Sequence, residues 1–117
     1  RLLEQIHPFQ AKYHLGEMFD IKPGGTPATS NPYATITALP IPGLGIAELL
    51  KSGVLIGACD VALTVYSGGA AQKMGMDAAA VKQEWVAGLI PGIQVVPSGV
   101  MAAARAQEFN TQYIYAG

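Results

Sequence analysis

The chain has a single cysteine, Cys59, and only two histidines, His7 and His14, among its 117 residues. One cysteine excludes an intrachain disulfide, and this inventory excludes a four-ligand zinc site of cysteine and histidine. Charge is scarce as well. Charged residues make up 13% of the chain, and 7 basic against 8 acidic side chains leave a net charge of −1. Nucleic acid or an anionic membrane as partner demands a basic surface, and this composition favours neither. Long apolar runs are missing too. The longest, around residues 54–62, is broken by Cys59 and Asp60 and falls short of the roughly 18 residues a membrane helix needs. There are no internal repeats and no low-complexity segments.

What is there is apolar. Half of the residues are hydrophobic, which is enough for one buried core and excludes disorder. So much apolar surface with so little charge has two readings: burial against copies of the same chain, or a core rich in alanine and glycine. The expectation is a homo-oligomer. The chain opens at Arg1 directly in helix-like sequence, which predicts a processed or truncated chain with an earlier strand upstream.

Periodicity and punctuation divide the rest. Leu2, Leu3, Ile6, Phe9, Tyr13 and Met18 recur near helical spacing, with Pro8 interrupting, which predicts a helix over 9–18. Residues 22–32, KPGGTPATSNP, form a loop. Pro40 and Pro42 prevent regular structure, and a short helix over 45–50 stops at Gly53. The run VLIGA at 54–58 reads as a buried parallel strand. A helix follows over 62–74, with Gly68 and Gly69 weakening its middle. Asp77 caps a helix over 78–87 that Gly88 closes. Residues 93–96 are a β-branched strand, Ser98 caps a helix over 99–108, and 113–115 read as a last strand. This alternation predicts an α/β fold with a parallel sheet covered on both faces.

Cys59 is the strongest chemical handle. It follows one strand and precedes a helix, and sites in open parallel sheets form at the carboxyl ends of strands. A sulfur there faces free helix N–H groups, which stabilise a thiolate. The competing reading is a packed, inert cysteine. Asp60 can cap the helix, but its charge opposes the thiolate. Ser98 belongs at the equivalent end of the second strand, on the same sheet edge, and a capping role accounts for it. Thr64, Tyr66 and Ser67 follow on the helix after Cys59; Thr64 joins Asp60 and Ser98 as a candidate binding residue, although packing and surface positions also explain it. No Ser-His-Asp arrangement can be drawn, because both histidines lie far upstream. His7 and His14 are separated by a helix break, so no metal site is expected. Gly43-Leu44-Gly45 lacks a preceding strand and the full nucleotide fingerprint, and no cofactor is expected. Trp85, with Val81 and Leu89, marks a core or interface face.

The stretches GVLIGACDVALTVYSG from Gly53 and KQEWVAGLIPGIQVVPSGVMAAARAQE from Lys82, with KYHLGEMFDIK and GTPATSNP upstream, resemble the DsrE/DsrF-like family. More narrowly, they are similar to an uncharacterised subgroup whose precursors often carry a twin-arginine export signal. The resemblance spans nearly the whole chain, as a single domain over 1–117. It implies a flavodoxin-like three-layer fold whose first strand is absent from this chain, and oligomeric assembly. It also implies a periplasmic location, with the cytoplasm as the alternative. Some family members carry sulfur on a cysteine, and Cys59 matches that place, although Asp60 directly after it is a departure. The expected function is sulfur handling, with Cys59 as persulfide carrier between a donor and an acceptor protein. The alternatives are a non-catalytic oligomeric assembly module, and a small-ligand site at the strand ends roofed by loop 22–32.

Overall fold

A computed structural model describes residues 2–3, 7–20, 22–34 and 43–114. Helix α1 (His7–Tyr13) contains Pro8 in its first turn, where a missing N–H costs no hydrogen bond. The expected break at Pro8 therefore does not occur. The break falls at His14 instead, whose backbone is left-handed (φ 54°), and a short α2 (Leu15–Met18) follows. Beyond a 3-10 turn at Pro23–Gly25, the described loop is irregular. Helix α3 (Ile46–Lys51) ends where Gly53 takes φ 91°, as its sequence predicts. Residues 35–42 lie outside the described residues.

Strand β1 (Gly57–Cys59) and strand β2 (Gln94–Val96) pair in parallel, with Gly57 opposite Gln94, Ala58 opposite Val95 and Cys59 opposite Val96. Two long helices, α4 (Asp60–Met74) and α5 (Ala78–Ala87), fill the crossover between the strands. Helix α6 (Gly99–Glu108) leaves β2. The chain is thus an α/β fold with parallel pairing, but among the described residues the sheet has two strands. Tyr113 and Ile114 are irregular and Tyr115 lies outside the described residues, so among the described residues no last strand forms.

The expected strand over 54–58 is also displaced. Pairing starts three residues later, and Val54 and Leu55 are exposed, Leu55 by 88%. Their side chains are apolar, but no described element covers them. The sheet is accordingly not a fully buried layer.

The core sits on the helical side. Ser67, Ala70 and Ala71 give α4 a flat face of small side chains, and Val81 and Trp85 of α5 are buried with it. Phe9 and Tyr13 of α1 close the cluster, with Tyr13 edge-on to Trp85 at 5.7 Å between ring centroids. Burial of a side chain such as Val81, which is fully enclosed, stabilises the fold by about 1.5–3 kcal/mol. Gly68 and Gly69 do not break α4, because the packed face supplies what their propensity withholds.

Candidate functional site

The helix after β1 begins two residues earlier than its apolar pattern suggests. Cys59 is therefore itself the N-cap of α4, and Asp60 is the first helical residue rather than the cap. The Cys59 backbone is extended, and its Sγ accepts the Ala62 N–H at 3.5 Å. The start of α6 converges on the same sulfur. A Cβ built on Gly99 would stand 3.5 Å from Cys59 Cβ and 3.9 Å from Sγ. The amides of Ala62 and Gly99, with a smaller effect from Val61, hold the thiol below its ordinary pKa. Burial opposes them, and the Asp60 charge opposes them least.

Asp60 does little against the thiolate because its carboxylate is engaged elsewhere. Lys82 of α5 binds both of its oxygens, at 2.8 and 2.9 Å. The ion pair ties the start of α4 to α5 and sets a cation against that charge. Sequence reasoning missed Lys82, since 22 residues separate it from Asp60 and only the packing of α4 on α5 joins them.

Ser98 reaches the same sheet edge as Cys59 but is occupied in capping α6, where its hydroxyl accepts the Met101 N–H at 3.4 Å. Thr64 is exposed and donates to the Asp60 carbonyl at 2.8 Å. Neither Thr64 nor Ser98 lines the cavity beside Cys59. Gly99, which the sequence reading passed over, contributes the second amide at the sulfur. Among the described residues no group of three or more His, Cys, Asp or Glu side chains is placed to hold a metal ion. No helix among them is long and apolar enough to cross a membrane.

A cavity of about 380 Å³ adjoins the thiol. Ala58 and Cys59 form one wall, and Leu63, Tyr66 and Trp85 another. Leu15 and Phe19 reach it from the N-terminal segment, as do Leu2 and Leu3, which run against Leu89–Ile90 through a bridge between Leu3 and Leu89 and an Ile90 N–H to Leu2 carbonyl bond of 2.9 Å. None of the loop 22–32 lines this space. The loop instead packs over α2, with Ala28 buried against Gly16, and Asn31 donates to the Leu3 carbonyl. The expected roof over the strand ends is therefore the N-terminal segment. Proline and glycine gave the loop its irregularity but carried no signal of where it would lie.

No family model, curated protein or solved structure matches the chain.

Proposed function

We propose that the chain is a thiol-dependent sulfur carrier with Cys59 as its working group. The observation that supports this most is the convergence of two helix N-termini on one partly exposed sulfur. Thiolate is the attacking form, and amides aimed at it favour that form near neutral pH. In the proposed step the Cys59 thiolate attacks the outer sulfur of a persulfide donor. A new S–S bond forms on Cys59, the donor's S–S bond breaks, and the donor leaves as a thiolate. No electrons are gained or lost overall. The same amides then stabilise the terminal sulfur anion.

DsrE/DsrF-like membership, a flavodoxin-like three-layer completion of the sheet and export to the periplasm form the finer part of this proposal. They rest on the residues from Gly53 and from Lys82 that carry the resemblance. The test of the function is whole-protein mass spectrometry after incubation with an inorganic polysulfide. Wild type gains the mass of one sulfur atom, reversibly with a thiol reductant, and Cys59→Ser gains nothing. Equal adducts on both proteins, or none on either, would reject the carrier.

A second reading, assembly with copies of the same chain, is favoured by a separate observation. Helix α6 has no buried residue, with Val100 exposed by 82% and Met101 by 64%. Leu55, Val95 and Phe109 are exposed as well. We propose that this apolar surface is covered in a homo-oligomer. Light scattering at micromolar concentration tests it. A single-chain mass there would count against the assembly, and Val100→Ser would shift a true oligomer toward monomer.

A further inference from the structure

We propose that the cavity beside Cys59 binds an uncharged small molecule with an apolar, aromatic or branched body, held against the thiol. The site is built, not merely open. Its volume of about 380 Å³ lies toward the lower end of the roughly 300–1,000 Å³ typical of small-molecule sites. Among the described residues, no charged side chain lines it. Aromatic edges shape one side, where Phe19 meets Tyr66 at 5.3 Å and Trp85 at 6.5 Å between ring centroids. These edges offer a flat ligand face its preferred contacts.

The lining sets the ligand's class. Lys82, the cation that faces the start of α4, is bound to Asp60, and away from the helix amides at Cys59 a charged group on the ligand would meet no countercharge among the described lining residues. The expected occupant is therefore uncharged and mostly hydrocarbon. A sulfur donor for Cys59 would by this account carry its sulfur on such a body. That clause rests on the carrier reading, but the binding site does not.

The chain's single tryptophan makes the test direct. N-phenyl-1-naphthylamine, uncharged and apolar, is titrated into the intact chain with Trp85 excited. Saturable energy transfer is expected at a one-to-one ratio, and the bound probe slows iodoacetamide alkylation of Cys59. Its anionic relative 1-anilinonaphthalene-8-sulfonate binds about tenfold more weakly or worse. Ala62→Leu, which narrows the cavity and keeps the helix amide, weakens the neutral probe by about tenfold. Should that variant fail to fold, Tyr66→Glu, on a half-exposed rim residue, has the same effect. Val100→Ser, on the apolar surface of α6, leaves probe binding intact. Non-saturable transfer, equal affinity for the two probes, loss of binding in Val100→Ser, or an alkylation rate untouched by bound probe would each overturn the site. Binding is also read in Cys59→Ser, which cannot carry sulfur. The site and the carrier function therefore fail separately.

Discussion

Gly99 stands beside Cys59 although 40 residues of chain separate them in sequence (99 − 59), and the first turn of α6 presents its amide to a sulfur that already caps α4. The parallel register, Cys59 opposite Val96, produces this meeting. Each strand ends at the same edge, and each is followed at once by a helix.

The thiol of Cys59 should therefore titrate below the ordinary value of about 8.5. The pH dependence of iodoacetamide alkylation reports it. Lys82→Met frees the Asp60 charge and should raise the apparent pKa, whereas Asp60→Asn should lower it. A thiol that reacts only on unfolding, at every accessible pH, would make Cys59 structural.

The same shift predicts a stability profile. A folded-state pKa below the unfolded one means that the folded state binds fewer protons between the two values. The contribution is then fully present above the unfolded pKa of about 8.5, and it is lost as pH falls through the folded one. The difference in unfolding free energy between wild type and Cys59→Ser should grow as pH rises from neutral toward that value. Denaturant titrations at several pH values measure it, and a flat difference would mean that the amides do not discriminate thiolate from thiol.

Gly88→Ala should disturb the core. A Cβ at that position would lie 2.6 Å from Phe9 Cζ and 2.7 Å from Cε2, and Phe9 is buried beside Tyr13. The ring must move, at a cost of about 1–3 kcal/mol typical of overpacking. Thermal unfolding should show the loss, and an unchanged midpoint would mean that α1 can slide on α5.

Tyr13, Lys12 and Glu84 form a small polar group at the rim of the core. Both Tyr13 Oη and Lys12 Nζ donate to Glu84 Oε2, the lysine at 2.7 Å. Lys12 first, and Tyr13 second, hold the Glu84 carboxyl below the usual carboxylate range. Its stabilisation is present above the unfolded pKa of about 4.3 and is lost as pH falls through the folded value. Glu84→Gln should remove that part of the acid limb. Tyr13→Phe keeps the buried ring and loses only the hydroxyl, for about 1 kcal/mol. Acid denaturation curves of the two variants separate the charge from the hydrogen bond.

Much of the chain's local structure was legible from its residues. Asp77 and Ser98 cap α5 and α6 through the hydrogen bonds their side chains were expected to accept, and Gly53 and Gly88 stop helices where they stand. These are short-range effects, decided by groups three or four residues apart. Cys59 was likewise legible as a strand-end sulfur, because a short apolar run followed by a helical pattern marks that junction.

Tertiary structure decided the rest. An apolar run does not say how many strands will pair with it, so VLIGA read as buried where Val54 and Leu55 are exposed. Pro8 read as a break because its ring is unfavourable inside a helix, but its position in the first turn removes the conflict. Whether Asp60 would oppose the thiolate depended on Lys82, on another helix, and the second amide at the sulfur came from Gly99, on a third. The cavity walls come from the N-terminal segment, β1, α4 and α5 together. Sequence by itself determined the bounds of α5 and α6 and the stop of α3 at Gly53, since caps and turns act locally. Which side chains meet at Cys59 depended on long-range packing, whose partners no local pattern names.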